Sequence, residues 1–444
     1  MPCKTEFLTT ENIEATVQDL QINPYTLVVA EESPEFKGEL IFQPLQGEQI
    51  FYEQYQDWLS RYLILNQPFV LVDFVEQLEK DGYTVLFMKS CQHILDGYER
   101  WRKPLEINGF HAPGGGNLYP YQTFSLNRAL ERIDAPDAPD RTYFVGWCPG
   151  AGKSVFACAG AQEAINRGQV DLVLAFTLMK LKTNLSNFFQ ANTSLQTVVN
   201  DGPAAKRKAR YENGSQVFVL NYDKAWADFE YLLPLVTGKR VLFILDEAQK
   251  VLTDGSPNRS RKHLDKLIQA SEPVIWPMSA TVVSHSPFKY RDVFSIGGFR
   301  RNPLGTKSDF ELRYVKQRRF FQIKTKRGGS FQQIFYDWDL PKLHEIRHRI
   351  ADRCHNVRKT DPGIKENFKG MQTVVIPVQM SKEDRELYDL VCEHARGAVE
   401  REESLAPYYR LLRYICNTPE SLQHTNEQLG QALSQSYPKL ASSD

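Results

Sequence analysis

Several features that would assign a chain to a special class are missing here. The 444 residues include only seven cysteines, with no Cys-x-x-Cys pair and no His/Cys cluster at zinc spacing. The 54 basic and 54 acidic residues cancel, so no overall field attracts nucleic acid or an acidic membrane. No apolar run approaches a membrane span, and the N-terminus lacks a signal pattern. We therefore expect a globular protein with reduced thiols in the cytoplasm, nucleoid or nucleus, neither secreted nor membrane-bound.

The sequence does contain a glycine-rich turn between a strand pattern and a helix pattern. The β-branched and aromatic run Thr142–Val145 leads into Trp147-Cys-Pro-Gly-Ala-Gly-Lys-Ser154, and a helix-compatible run follows. Backbone N–H groups of such a loop form an anion site, and Gly150 and Gly152 let phosphates approach closely. The pattern predicts a nucleoside triphosphate site, with Lys153 on the β- and γ-phosphates and Ser154 on Mg²⁺.

The loop departs from the usual pattern at one position. Phosphate-binding loops carry glycine where this chain has Trp147, and Gly146 lies one residue early. The alternative interpretation is an ordinary strand-to-helix turn whose lysine is solvated. The loop by itself leaves both interpretations open.

Two adjacent carboxylates follow a second apolar strand pattern. The run Val241–Leu245 ends in Asp246 and Glu247, and ligands lie at strand ends in parallel sheets. We expect Asp246 to hold Mg²⁺ and Glu247 to orient and deprotonate the attacking water. The alternative is an exposed acidic pair at a strand end, which is common in α/β proteins.

Three further polar groups suit the same chemistry. Ser279 and Thr281 end the next strand pattern, where their hydroxyls are placed to hydrogen-bond the acidic segment. Gln122 lies upstream of the loop, and its amide offers the donor and acceptor that match the N6/N7 edge of adenine. The alternative for Gln122 is a loop residue that caps a helix.

The chain divides into four predicted regions. Residues 1–105 mix strand-like runs with the amphipathic stretch Ile50–Leu59 and predict an accessory α/β domain of unknown role. Residues 106–300 alternate strands and helices, which predicts a parallel sheet flanked by helices. We expect residues 301–370 to form a basic, partly helical insertion or linker, and residues 371–444 to begin a further domain.

The strand and helix patterns in these regions have definite bounds. The strands predicted for the accessory domain are Tyr25–Ala30, Phe69–Val72 and Thr84–Met88. Those predicted for the parallel sheet are Thr142–Val145, Asp171–Phe176, Gln216–Leu220, Arg240–Leu245 and Pro273–Met278. The last region carries a predicted strand, Gln372–Val378, and predicted helices, Lys382–His394 and Pro407–Ile415.

Taken in order, these motifs resemble those of superfamily 2 helicases and translocases. The segments that resemble motifs Q, I, Ia, Ib, II and III are Tyr119–Gln122, Gly150–Ser154, Phe176–Asn184, Val219–Tyr222, Asp246–Gln249 and Ser279–Thr281. Two later segments, Met380–Tyr388 and Leu411–Pro419, resemble the second lobe of Swi/Snf-type DNA-dependent ATPases. The resemblance covers residues 118–420 and implies a RecA-like P-loop NTPase lobe followed by an incomplete second lobe.

The resemblance also implies roles for individual residues. Nucleotide is held by Gln122, Gly150, Ala151, Gly152, Lys153 and Ser154, with Lys153, Asp246 and Glu247 catalytic and Ser154 and Asp246 on Mg²⁺. Coupling between the nucleotide and nucleic-acid sites is assigned to Gln249, Ser279 and Thr281. Contacts to a nucleic-acid backbone are assigned to Lys180, Thr183, Asn184, Asn221 and Tyr222, and such contacts tolerate any base sequence.

One departure from this family bears on activity. We find no Gln-x-x-Gly-Arg element for motifs IV to VI, which include the arginine fingers, and Gln428–Gln431 is not one. Arginine fingers contribute about 10³–10⁵ in rate in related systems. We therefore expect ATP and Mg²⁺ binding with little unaided hydrolysis, and a partner chain or further segment that supplies the missing motifs.

The prediction from the sequence is an ATP-dependent motor on duplex DNA. The alternatives are another superfamily 2 enzyme, such as an RNA helicase or a restriction-system motor, and an ATP-binding subunit that does not hydrolyse. Two basic stretches, residues 205–210 and 300–327, are candidates for nucleic-acid contact. The alternative for the first stretch is a solvated loop. In the second stretch, Tyr314, Phe320 and Phe321 lie among the basic residues, and core positions are the alternative for them.

Overall fold

The computed structural model describes most of the chain. The described residues are 25, 27–32, 40–61, 68–136, 141–252, 257–281, 286–298, 302–324, 330–343, 345–359, 361, 380–400, 408–409 and 411–412. Outside them lie the predicted strand Gln372–Val378, most of the predicted helix Pro407–Ile415, and Arg300, Arg301, Lys326 and Arg327. The chain divides into two compact units, residues 1–369 and 370–444.

A seven-stranded parallel sheet organises the larger unit. Its strands are β4 (Phe144–Trp147), β5 (Leu172–Thr177), β6 (Thr197–Val199), β7 (Val217–Asn221), β8 (Arg240–Asp246), β9 (Glu272–Met278) and β12 (Cys354–Val357). Their order across the sheet is β12-β4-β9-β8-β5-β7-β6, and every pairing is parallel. The predicted parallel α/β architecture is therefore confirmed.

Both faces of this sheet are buried, and β8 shows how. Phe243 and Leu245 belong to the apolar cluster on one face, whereas Leu242 and Ile244 belong to the cluster on the other. All four side chains are fully buried, because successive strand residues point to opposite faces. Coverage by helices on both faces explains why the predicted strands are continuous apolar runs.

The helices that cover the sheet form two layers. Packed on one face are α4 (Pro120–Ile133), α5 (Lys153–Asn166) and α6 (Lys182–Asn192). The other layer includes α7 (Ala204–Tyr211), α9 (Phe229–Val236), α10 (Arg259–Gln269), α11 (Phe288–Val293) and α12 (Lys307–Tyr314). A short helix, α8 (Lys224–Ala227), precedes α9.

An N-terminal module precedes α4 and has its own apolar core. It contains a three-stranded sheet in the order β2-β1-β3, with β1 at Leu27–Glu32, β2 at Leu40–Pro44 and β3 at Thr84–Phe87. Its helices are α1 (Glu48–Arg61), α2 (Pro68–Lys80) and α3 (Gln92–Trp101). Phe124 of α4 and Ala351 join this core, so the module packs directly on the lobe that contains the seven-stranded sheet.

One predicted strand of the module is wrong. Phe69–Val72 lies inside helix α2, which begins at Pro68. Its apolar pattern continues through Phe74, Val75 and Leu78, which are all buried. A short run of β-branched and aromatic residues fits either structure, and the helical spacing that follows it decides the outcome here.

Residues 302–361 combine short helices with strands that the sequence patterns did not predict. Helix α12 is followed by an antiparallel hairpin of β10 (Val315–Lys324) and β11 (Ser330–Trp338), then by α13 (Leu340–Leu343) and α14 (Glu345–Arg349). The chain then returns to the main sheet as β12, which the sequence patterns did not predict. Tyr314 is a core residue, whereas Phe320 is 55% exposed.

In the smaller unit the structure describes mainly one helix, α15 (Lys382–Glu400). Val391 on this helix is buried among Leu387, Tyr388, Tyr408, Leu411 and Leu412. No helix in the described ranges combines the length and apolar character that a membrane span requires.

His355 on β12 generates a prediction about acid stability. The ring is fully buried, and this burial, with Arg128 nearby, lowers its pKa to about 3. An unfolded histidine titrates at about pH 6.5. The contribution of neutral His355 to the free energy of unfolding is therefore fully present above that pH and is lost as the pH falls toward 3. Between about pH 7 and pH 5 the wild type should lose about 2 kcal/mol more than His355→Phe, as measured by urea unfolding.

An exposed histidine provides the control for this measurement. His111 is exposed, so His111→Phe should keep the pH dependence of the wild type. Equal losses of stability in the wild type and His355→Phe would contradict the prediction.

Candidate nucleotide site

The predicted phosphate loop joins β4 to α5 at the carboxyl edge of the sheet. Gly150 and Gly152 have φ values of 84° and 83°, in the left-handed region that favours glycine. A Cβ on Gly152 would also overlap the amide of Gln122. The loop geometry therefore requires glycine at both positions, and α5 begins with Lys153 and Ser154.

The unusual tryptophan before the loop belongs to the strand. Trp147 is the last residue of β4, and its side chain is fully buried in the core. Glycine is required at position 146 for packing against β12, because a Cβ there would overlap the side chain of Asn356. The departure from the usual pattern thus reflects packing of β4 against β12 and leaves the loop itself unaltered.

Lys153 is drawn into the loop. Its Nζ donates to the carbonyl oxygens of Trp147 at 2.8 Å and Cys148 at 3.4 Å. Burial lowers the pKa of this lysine, whereas the nearby carboxylates of Glu247 and Asp246 raise it. The ammonium group of Lys153 therefore lies in the loop and within the electrostatic influence of the acidic pair, and its role in phosphate binding stays a prediction.

The acidic pair lies at the end of β8, on the same edge. Thr177 at the end of β5 donates to the Asp246 carboxylate at 2.8 Å. Burial raises the pKa of Asp246, Thr177 lowers it, and the charge of Glu247 raises it. Ser154 and Asp246 offer the oxygen donors that Mg²⁺ prefers, and a cation would offset the buried carboxylate, so these residues fit the metal.

Glu247 has an uncommon backbone conformation. Its φ of 52° is the only positive value among non-glycine residues in the described part of the chain. Such a conformation costs about 1 kcal/mol or more, and it concentrates at functional sites. It lets the side chain of Glu247 accept a hydrogen bond from Gln249 Nε2.

A chain of hydrogen bonds runs from this carboxylate to the end of β9. Ser279 Oγ donates to Gln249 Oε1 at 2.6 Å, and the backbone N–H of Thr281 donates to Ser279 Oγ at 3.1 Å. The backbone N–H of Ser279 also donates to the Val145 carbonyl on β4. These hydrogen bonds thus link Glu247, one of the residues to which we assigned catalysis, to the three residues assigned to coupling, Gln249, Ser279 and Thr281.

Gln122 contacts the phosphate loop directly. Its Nε2 donates to the Ala151 carbonyl at 3.1 Å, and its Oε1 accepts from the Tyr119 backbone N–H at 3.0 Å. With 3% of its surface exposed, Gln122 braces the loop and caps α4 in this conformation. Its predicted role in reading adenine stays a prediction.

Three residues near the site were not predicted individually. Thr177 orients Asp246, and the Tyr121 hydroxyl donates to the Ala151 carbonyl at 2.8 Å. Tyr119 is 46% exposed and stacks on Tyr121, with ring centroids 5.8 Å apart. The segment that contains Tyr119 and Tyr121 was a sufficient signal for their location, but the loop contacts depend on tertiary packing.

The five residues assigned to nucleic-acid contact fall into two groups. Lys180, Thr183 and Asn184 are exposed around the first turn of α6. Asn221 and Tyr222 are buried, and the Tyr222 hydroxyl donates to the Asp246 carbonyl at 2.7 Å. The first group therefore has access to a ligand, whereas Tyr222 supports the acidic segment from within.

The part of the chain that contains the candidate site matches a known protein family. Residues 116–284 match the family model described as "Type III restriction enzyme, res subunit". The chain thus carries a superfamily 2 helicase-type domain. No curated protein matches this sequence.

Solved structures of superfamily 2 proteins are among the matches. The Sulfolobus solfataricus SWI2/SNF2 ATPase core in complex with dsDNA is 15% identical, with a TM-score of 0.44 over 70% of this chain and 60% of that chain. The same ATPase core domain in a second structure is 15% identical, with a TM-score of 0.42 over 70% and 58%. The Pyrococcus furiosus Hef helicase domain is 13% identical, with a TM-score of 0.38 over 64% and 47%. This chain thus spans at most about 60% of each.

The basic stretch at residues 205–210 is partly structural in the helicase-type domain. Arg207 binds the carboxylate of Asp228 through two nitrogens, at 2.6 and 2.9 Å, and Asp228 is 1% exposed. Arg210 donates to the carbonyl oxygens of Val199 and Asp201. The guanidinium groups of Arg207 and Arg210 therefore bind groups within the domain. Lys206 and Lys208 are exposed and are the residues of this stretch that have access to a ligand.

We predict that Arg207 and Lys206 differ sharply in their effect on stability. Arg207→Ala leaves Asp228 buried and without its guanidinium, which should lower the free energy of unfolding by about 3 kcal/mol. Lys206→Ala removes an exposed charge and should change it by less than about 0.5 kcal/mol. Urea unfolding of both variants makes the comparison, and similar losses would show that Arg207 is solvated after all.

Proposed function

We propose that this chain binds ATP with Mg²⁺ and serves as the first motor lobe of a Swi/Snf-like translocase on duplex DNA. The observation that carries the proposal is the meeting of the phosphate loop, the acidic pair and the hydrogen-bonded chain from Glu247 to Thr281 at one sheet edge. Lys153 neutralises phosphate charge, and Ser154 and Asp246 hold the cation. Glu247 orients the attacking water.

The polar chain supplies a route for coupling. A change at Glu247 alters the hydrogen bond from Gln249, and Ser279 passes that change to the segment after β9. The exposed residues Lys180, Thr183 and Asn184 follow the end of β5 and provide contacts to backbone phosphates. Duplex DNA is favoured as the partner by the motif segments that resemble Swi/Snf-type proteins, including Met380–Tyr388.

A restriction-system motor is the second candidate. The description of the matching family model favours it, and the same nucleotide site would serve both functions. We further propose that motifs IV to VI come from a partner chain or a further segment, and that this chain by itself hydrolyses ATP slowly. An RNA-directed enzyme would use the same lobe, so RNA is the competitor ligand in the tests.

We predict that ATP binding depends on Lys153 and that hydrolysis depends on Glu247. Lys153→Ala should weaken Mg²⁺–ATP binding at least about 10-fold, because a buried charge-assisted contact to phosphate is lost. Glu247→Gln should keep binding within about twofold and abolish any turnover, because the amide cannot accept a proton. Calorimetry and phosphate release, each with and without duplex DNA or RNA, measure both effects.

Lys250→Ala is the control, because Lys250 is an exposed lysine beside the same acidic segment. Turnover that duplex DNA stimulates and both variants lose would support the motor and remove the need for a partner. ATP binding without turnover, weakened in Lys153→Ala, would support the need for further motifs. Absence of ATP binding in the wild type would overturn the proposal.

We predict that Ser279 links the two ligands. Ser279→Ala removes the hydroxyl between Gln249 and Thr281, so the change in DNA affinity caused by Mg²⁺–ATP should shrink at least about 5-fold. Nucleotide affinity measured without DNA should stay within about twofold. Ser186→Ala is the matched control, because the buried Ser186 hydroxyl makes no hydrogen bond in the structure. An unchanged ATP effect on DNA affinity in Ser279→Ala would contradict the coupling route.

A further inference from the structure

A column of aromatic rings connects the N-terminal module to the phosphate loop. Trp101 at the end of α3 meets Phe124 of α4 edge to face, with ring centroids 5.7 Å apart. Phe124 meets His355 of β12 at 5.5 Å, and His355 meets Trp147 of β4 at 5.9 Å. The last three rings are at most 1% exposed, so the column passes through the core.

The outer end of the column is fixed by charged groups. The Trp101 indole N–H donates to Glu131, which also pairs with Arg100 at 3.0 Å. The Arg128 guanidinium lies over the Trp101 ring at 4.9 Å and donates to the Ala351 carbonyl at 2.8 Å. Trp101 is thereby tied both to α4 and to the segment that leads into β12.

The inner end of the column reaches the lysine of the nucleotide site. Trp147 supplies the carbonyl oxygen that accepts the hydrogen bond from Lys153 Nζ at 2.8 Å. The next residue, Cys148, donates its backbone N–H to the Val357 carbonyl on β12 at 2.9 Å. Strand β12, which carries His355, is therefore hydrogen-bonded to the start of the loop, and the His355 ring packs on Trp147, the last residue of β4.

From this arrangement we propose that the N-terminal module is a working part of the nucleotide site. The column sets the position of Trp147 and hence of Lys153, which makes Trp101 and His355 positioning residues for the phosphate loop. The inference rests on the proposed function, because it assumes that the loop binds nucleotide. Edge-to-face rings in a close-packed core transmit a displacement at one end, since neither end can shift without opening a cavity.

The column predicts a specific pattern of nucleotide affinities. Trp101→Ala and His355→Ala should each weaken Mg²⁺–ATP binding about 5-fold, and the double variant should be no weaker than either single one. His355→Phe and Trp101→Phe keep a ring at each place and should bind within about twofold of the wild type. Isothermal titration with Mg²⁺–ATP at neutral pH measures all five variants, and Trp101→Leu replaces Trp101→Ala if that variant does not fold.

A matched control separates positioning from general destabilisation. Val75→Ala removes packing from the core of the same module at a residue outside the column, and it should leave nucleotide affinity unchanged. An equal loss of affinity in Val75→Ala, or additive losses in the double variant, would overturn the inference. So would wild-type affinity in Trp101→Ala. Failure of the wild type to bind Mg²⁺–ATP would instead overturn the proposed function, which Lys153→Ala tests separately.

Discussion

The candidate nucleotide site depends on opposite charges that are buried at one edge of a parallel sheet. Burial raises the pKa of Asp246 and lowers that of Lys153, and each charge opposes the effect of burial on the other. A buried charge of either kind is costly without its partner. The pairing of β8 with β9 and of β9 with β4 places these groups together, because the carboxyl ends of parallel strands share one edge. The loop, the acidic pair and the chain through Ser279 are consequences of that single alignment.

Much of the sheet and of the site could be predicted from the sequence, because their signals are local. Strands covered on both faces give continuous apolar runs, and the five predicted strands of residues 142–278 all overlap observed ones. The glycines of the loop follow from backbone conformation, which φ values of 84° and 83° demonstrate. The position of Asp246 and Glu247 at the sheet edge could be predicted because they follow directly on the apolar run of β8. Where a residue's position depends on its own segment, the sequence is sufficient to predict it.

The remaining features depend on residues that are distant in the chain. Strand β12 contains a histidine and an asparagine, so nothing in its own sequence indicates a buried strand. Its position depends on distant residues, because His355 packs on Phe124 and Trp147 and Asn356 fits beside Gly146, which lacks a Cβ. The basic run at residues 205–210 reads as solvated until Asp228 is known to lie beside Arg207. Phe69–Val72 has local β propensity, which the helical burial of Phe74 and Leu78 overrides.

The position of β4 has a consequence for the order in which the lobe assembles during synthesis. Its two neighbours in the sheet, β9 and β12, both come later in the chain, and β12 follows by roughly two hundred residues. On the ribosome, the strand that leads into the phosphate loop therefore emerges with both edges unpaired. A nascent chain that has reached only Gln269 has made the loop and the carboxylates, but β4 has no strand beside it. The loop that we propose to bind phosphate thus gains its neighbouring strands late, although its motif is translated before either of them.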